Sequence, residues 1–367
     1  MRILHVLGKL DRGGAETSLV RTLRHIDRHK YQFDFLVHSD KPGVYDEEVK
    51  ALGARVIPCL SPSHPFRYAR NFFRVLRDYG PYDCVHSHVH HFSGYVLALA
   101  RIAGVPKRIA HSRSDRTAAE SKRGVARTLY LSAMKRLLRL SATGGLAVSG
   151  KAANSLFGEN WPSDSRWQVL YSGIDLEQFA REVDRSKVRA EVQIPEDAFV
   201  IGHVGRLVPE KNHSFLLAVM KLVFAHKPNA LCVMVGDGPL RQELQRKATQ
   251  LGISDRLRFL GSRDDVPRLM KGAMDVFVLP SVYEGFPVVL MEAQAAGLPC
   301  VISDSITSEA DIVQELITRV SLTSPLDVWS AAIEDCGKVS TTVCKDSRIS
   351  EYSIDSAVQR LCHAYDN

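Results

Sequence analysis

Two carboxylates eight residues apart, Glu284 and Glu292, bracket the run Ser281-Val-Tyr-Glu284-Gly285-Phe286-Pro287-Val288-Val-Leu-Met-Glu292-Ala. Proline suits the first helical position, so a helix is predicted to begin at Pro287. Glu284 then sits in the loop before it, with Gly285 and Phe286 leading into the helix, and Glu292 lies between its first and second turns. The backbone amides of Phe286, Val288 and Val289 would lack intrahelical partners at the positive end of the helix dipole, a natural seat for a diphosphate. Carboxylates flanking such a seat suit hydroxyls, Glu284 those of a sugar and Glu292 those of a ribose, through charge-assisted hydrogen bonds. Taken alone, the run equally fits a Glu284 that caps the helix and a Glu292 on the surface.

A second group, Gly202-His-Val-Gly205-Arg206-Leu-Val-Pro-Glu-Lys211-Asn, follows an apolar strand-like run. Arg206 as a fork and Lys211 as a point charge are suited to two phosphates. A third, Gly8-Lys-Leu-Asp-Arg-Gly13-Gly14-Ala-Glu16, also follows a strand, and its glycine pair lets backbone approach a ligand closely. Neither G-x-G-x-x-G nor G-x-x-x-x-G-K-[ST] is complete, which disfavours a bound dinucleotide or a Walker-type ATP site. The run His86-Ser-His88-Val-His90-His91 would share one face if its strand continued, but no nearby cysteine or carboxylate completes a ligand set, so no metal is expected and the run reads as a loop beside an acceptor.

These groups need a scaffold that presents loops at strand ends. Strand patterns at Arg2–Leu7, Phe33–His38, Cys84–His86, Arg108–His111 and Gly145–Val148 alternate with helical ones. A second series covers Phe199–Val204, Leu231–Val235, Leu257–Leu260, Val276–Leu279 and Pro299–Ile302. The pattern is α/β with parallel sheets, in which ligands bind beyond the carboxyl ends of strands. The expected domains are 1–172, on the acceptor side, and 173–350, binding the nucleotide, with a last helix, 351–367, able to pack on either. The 367-residue length agrees with two domains.

Composition narrows the class. The chain is 45% hydrophobic and 24% charged, an ordinary globular balance. Seven cysteines without a C-x-x-C pair argue against a disulfide framework or zinc ribbon and for a reducing cytosol. The start, Met1-Arg-Ile-Leu-His-Val-Leu-Gly, is too short an apolar run for a secretory signal, and no stretch approaches a membrane span. Net charge is +7 but uneven: residues 1–172 hold 27 Lys and Arg against 14 Asp and Glu, and the rest 21 against 27. The basic half suits an anionic surface or substrate; nucleic acid is disfavoured because no binding motif accompanies the charge. Lys122–Arg139 reads as a basic amphipathic helix, either docked on anionic membrane or packed on the core with a solvated basic face.

Together, Glu284 and Glu292 (E-x7-E), Gly205–Lys211 (G-R-x-x-x-x-K) and Arg12–Glu16 (R-G-G-A-E) resemble family 4 of the retaining glycosyltransferases, of GT-B fold, over most of the chain. Val235-Gly-Asp-Gly, Phe259-Leu-Gly-Ser-Arg-Asp-Asp-Val-Pro and Glu292-Ala-Gln-Ala-Ala-Gly-Leu-Pro are similar to segments of bacterial capsular and exopolysaccharide transferases. The resemblance implies two Rossmann-like domains facing across a cleft. It implies a nucleoside-diphosphate sugar donor, UDP-linked by preference, and a glycan or lipid-linked glycan acceptor at the cytoplasmic membrane face. Arg206 and Lys211 would neutralise the leaving diphosphate, Gly13 and Gly14 would close on it, His111 would touch the sugar near the reacting carbon, and Arg263 to Val266 would lie near the base. His111 also fits a capping or buried structural role. No cofactor and no enzymic nucleophile are expected. The competing readings are a UDP-sugar 2-epimerase-like isomerase and an inactive sugar-nucleotide-binding subunit.

Overall fold

The computed structural model describes residues 1–114, 124–336 and 347–367. The chain divides into two compact units, Met1–Gly173 with Ile354–Asn367, and Ile174–Ser353. In the first, strands β1 (Arg2–Leu7), β2 (Gln32–Val37), β3 (Arg55–Pro58), β4 (Cys84–Ser87), β5 (Lys107–Ser112), β6 (Gly144–Ala147) and β7 (Trp167–Val169) form a seven-stranded parallel sheet. Their order is β3-β2-β1-β4-β5-β6-β7. In the second, β8 (Phe199–Val204), β9 (Ala230–Val235), β10 (Leu257–Gly261), β11 (Val276–Leu279), β12 (Cys300–Ser303) and β13 (Ile317–Val320) are parallel in the order β10-β9-β8-β11-β12-β13.

Each sheet reverses its strand order once, at β1/β4 and at β8/β11. Those are the places where successive loops diverge and leave a crevice at the carboxyl ends. The strands are near-continuous apolar runs because both faces are covered: every residue of β9 and of β11 is buried. Strands β3, β7 and β13 go beyond the runs expected from periodicity. They lie toward the sheet margins and are short, with polar or proline residues among the apolar ones.

The last helix, Ile354–Asp366, belongs to the first unit. Its buried stripe Ile354, Val358, Leu361 and Tyr365 recurs at helical spacing and joins the core around Leu19, Leu23 and Phe33. Asp366 closes the contact, accepting from Lys30 Nζ and from the Tyr31 hydroxyl, each at 2.8 Å. Among the described residues, Cys59, Cys84, Cys232, Cys300, Cys336 and Cys362 are free thiols, and no helix is long and apolar enough to cross a membrane. Cys344 lies outside the described residues.

Candidate active site

In the second unit the reversal between β8 and β11 brings the two strongest sequence signals together. The Gly205–Lys211 loop leaves β8 and the Glu284 loop leaves the adjacent β11. Lys211 Nζ lies 2.6 Å from Glu284 Oε1, with both side chains largely buried (17% and 13% exposed). Two further bonds tie the loops: Val282 N donates to Glu210 O at 2.9 Å, and the Tyr283 hydroxyl to Glu210 Oε1 at 3.1 Å. Arg206 stands beside this pair in sequence but points outward; it is exposed and, among the described residues, makes no ion pair.

The loop after β9 holds the Arg206 turn in place. Gly205 N donates to Val235 O at 2.9 Å and Leu207 N to Asp237 O at 3.0 Å. A Cβ on Gly236 would sit 2.0 Å from Gly205 O, and one on Gly238 2.5 Å from Leu207 O. Gly236 also has φ +134°, open in practice to glycine alone. The Val-Gly-Asp-Gly turn therefore acts by letting two backbones meet, a role its sequence did not reveal.

The helix after Glu284 spans Val288–Ala295. Pro287 is its N-cap (φ −77°, ψ 90°) and not the first helical residue as the sequence predicts. Its carbonyl accepts from Leu290 N at 2.9 Å, and the ring carries no N–H, so the helical amides offered at this end are those of Val288 and Val289. Buried Gln294 anchors the helix from below, donating to Leu290 O and Ala310 O and accepting from Ile312 N and Val313 N. That function was missed; a glutamine amid Ala, Gly and Leu was its only signal. Gly285 and Phe286 are buried, Glu292 is half-buried on the helix, and Phe286 stacks near Tyr352. Arg263 and Val266 follow β10, the sheet edge, two strands from β8. The Arg263 guanidinium grips Asp265 at 2.7 and 2.8 Å, which holds that carboxyl below its usual range, and Val266 opens the helix Val266–Gly272.

In the first unit, Gly13 caps the helix Gly14–His25 directly beyond β1. A Cβ on Gly14 would meet nothing within 4 Å, whereas one on Gly13 would press on the Glu16 carboxylate at 2.4 Å. His111 lies in β5, buried, within a cluster of imidazoles from three neighbouring strands. His5 and His86 are register partners on β1 and β4. His86 Nε2 is 3.1 Å from His111 Nδ1, and His88 Nε2 is 3.0 Å from His5 Nδ1. The His86–His91 run is thus not the loop expected: His86, His90 and His91 are buried, because β4 carries His86 into the sheet and a short helix (His90–Phe92) turns the next residues inward. Burial holds His5 at about 3 and His86, His88 and His111 well below the usual imidazole range; the Arg113 cation adds to this.

His5, His86 and His88 have nitrogens within 4.8 Å of one another, close enough to hold a metal. Their lone pairs are otherwise engaged. Arg113 Nε donates to His88 Nδ1 at 3.3 Å, so His88 donates from Nε2 to His5 Nδ1. The Tyr365 hydroxyl is 2.7 Å from His86 Nδ1, and the guanidinium would repel a cation. These donors do not fit a metal. Sequence reasoning missed His5, Arg113 and Tyr365; only His5 left a trace, as a polar residue inside a strand buried from Ile3 to Leu7.

The model for glycosyltransferase family 4 matches residues 12–178, and that for group 1 glycosyl transferases matches 184–339. EpsF of Bacillus subtilis (strain 168) is 40% identical over 337 residues, covering 90% of this chain and 86% of EpsF. The chain belongs to the family 4, group 1 glycosyltransferases. An Escherichia coli enzyme, UDP-Gal:alpha-D-GlcNAc-diphosphoundecaprenol alpha-1,3-galactosyltransferase, is 32% identical over 231 residues, 61% of this chain and 58% of the enzyme. Among solved structures, Anabaena HepE in complex with UDP-glucose superposes with a TM-score of 0.83 at 19% identity, covering 100% of this chain and 99% of HepE. WaaG, a glycosyltransferase of lipopolysaccharide biosynthesis, superposes with a TM-score of 0.72 at 16% identity, covering 100% and 95%. The fold is GT-B, and the family membership decides for a transferase over the isomerase and the inactive subunit.

Proposed function

We propose that this glycosyltransferase moves a hexose-type sugar, with retention, from a UDP-sugar to a growing lipid-linked glycan of the bacterial surface, without a metal at the diphosphate. The observation that carries the reading is the Lys211–Glu284 pair at the β8/β11 reversal, with exposed Arg206 on the same loop. Breaking the bond between the sugar and the diphosphate builds negative charge on the leaving group and positive charge on the ring. Arg206, Lys211 and the Val288 and Val289 amides are the cations and dipoles suited to the former. The Glu284 carboxylate suits donor sugar hydroxyls and Glu292 the ribose. His111 suits a sugar hydroxyl through Nε2, which is buried and, among the described residues, has no hydrogen-bond partner. In same-face attack the acceptor hydroxyl oxygen bonds the anomeric carbon, the carbon–oxygen bond to the diphosphate breaks, and the acceptor proton goes to a diphosphate oxygen. No enzymic nucleophile takes part. The donor base is supported by the HepE complexes, whose partners are UDP and UDP-glucose, and the lipid-linked acceptor by the name of the E. coli relative.

A membrane-facing position is supported by the helix Val125–Ser141, where only Leu138 and Ser141 are buried. Val125, Leu129 and Leu140 are exposed together with Arg136 and Arg139. Lys122 and Arg123 lie outside the described residues.

The test is a panel of sugar nucleotides incubated in EDTA with a lipid-linked acceptor, reading released UDP and GDP. UDP release that Arg206→Ala and Lys211→Ala each lower on the order of 10²-fold is expected. Release restored only by added Mn²⁺ or Mg²⁺, or near-normal turnover in both variants, refutes the assignment.

A further inference from the structure

The proposed contact of His111 with the donor sugar requires a particular proton. A neutral imidazole donates from one nitrogen and accepts at the other, and which one is set by its neighbours. His111 Nδ1 faces His86 Nε2 at 3.1 Å; His86 Nδ1 faces the Tyr365 hydroxyl at 2.7 Å. All three side chains are buried. The polarity of this chain follows from Tyr365. Among the described residues its hydroxyl has one recorded hydrogen-bond partner, His86, so the hydroxyl hydrogen is satisfied only by donating to His86 Nδ1. His86 then carries its hydrogen on Nε2 and donates to His111 Nδ1. His111 is left with its hydrogen on Nε2, the atom that is buried and, among the described residues, unpartnered. Leaving a buried donor unmet is unfavourable, so this N–H is poised for an acceptor brought by a ligand.

We infer that Tyr365, on the C-terminal helix, acts through His86 as a positioning residue that fixes His111 as an Nε2–H donor toward the transferred sugar. The inference rests on the reading of His111 given above and adds two residues that never touch substrate. It also gives the C-terminal helix a task besides packing: the chain returns from the second unit to place one hydroxyl beneath the strands of the first. The parallel chain Arg113–His88–His5 has its direction set by a guanidinium and, among the described residues, is not hydrogen-bonded to His111.

The test uses the full chain with labelled imidazole nitrogens. In the unliganded protein the nitrogen spectrum should report His111 as the Nε2–H tautomer. Tyr365→Phe keeps the ring that packs on Phe33 and Tyr31 and removes only the hydroxyl. It should give a mixture of His111 tautomers and lower kcat about 5- to 10-fold, with the KM for the donor little changed. His86→Gln, whose amide both accepts and donates, should retain the tautomer and most of the turnover, whereas His86→Leu should lose both. Tyr31→Phe is the control for the helix contact, since it removes the bond to Asp366 without touching the relay. An unchanged nitrogen pattern in Tyr365→Phe and His86→Leu overturns the relay. A changed pattern with wild-type turnover overturns its part in transfer, provided His111→Ala is impaired. Wild-type turnover in His111→Ala refutes the sugar-contact reading instead, and the spectrum alone then decides whether the relay exists.

Discussion

Because Lys211 is already paired with Glu284, a diphosphate held by Lys211 as proposed would have to compete for it. At 2.6 Å the gross attraction between two unit charges is about 6 kcal/mol at an effective dielectric of ~20. Desolvation of two largely buried groups offsets most of that, leaving the roughly 1.5–3 kcal/mol typical of a hydrogen bond between charged partners. Glu284→Gln keeps an acceptor beside Lys211 but removes the charge, so about 1 kcal/mol of the competition should vanish. UDP, which has no sugar for Glu284 to hold, should then bind about 5-fold more tightly to Glu284→Gln, although sugar transfer by this variant falls. Lys211→Ala should move UDP affinity the other way, and the double variant should resemble Lys211→Ala. Isothermal titration calorimetry of UDP against the three variants measures all of this. If Glu284→Gln weakens UDP binding as Lys211→Ala does, the competition argument fails and Glu284 contributes to the diphosphate seat in some other manner.

The buried imidazoles predict a pH dependence of stability. His5, His86, His88 and His111 have lowered folded-state values, so below about pH 6.5 the unfolded chain takes up protons that the folded one refuses. Stability should be flat with respect to these groups above that pH and fall below it, by about 1.4 kcal/mol per pH unit for each ring. Urea unfolding followed from neutral to mildly acidic pH checks this, and a midpoint independent of pH there refutes the burial argument. The helix Val125–Ser141 should bring the protein to anionic vesicles and not to neutral ones. Each basic residue near the surface contributes about 1 kcal/mol, and salt should weaken binding because the field falls off within ~8 Å at physiological ionic strength. Equal flotation with both vesicle types, or no loss when Arg127, Lys135, Arg136 and Arg139 become glutamine, refutes it.

Much of this protein is written locally. The interior strands are runs such as Ala230–Val235 and Val276–Leu279 whose burial on both faces demands apolar residues at every position, so composition alone marks them. The loops proposed to carry chemistry were equally visible as candidates, since a phosphate seat suits glycine, cations and a helix start in a fixed order, the pattern of Gly205–Lys211 and Glu284–Val288. Strands β3, β7 and β13 were not legible, because short strands toward a sheet margin need only partial apolar faces. Pro287 was displaced by one position because a proline ring is compatible with both the cap and the first turn.

What no local pattern contains is which distant residues meet. Lys211 and Glu284 are 73 positions apart, and their pairing exists only because β8 and β11 are neighbours at the reversal of the sheet. Tyr365 reaches His86 across 279 positions because an apolar stripe sends the last helix back to the first unit, where its one buried hydroxyl finds an imidazole. The sequence determined the chemistry that each strand end offers; the tertiary structure decided the partners. Partners follow from strand order and helix docking, which are set by the packing of the whole chain and not by any residue's neighbours along it.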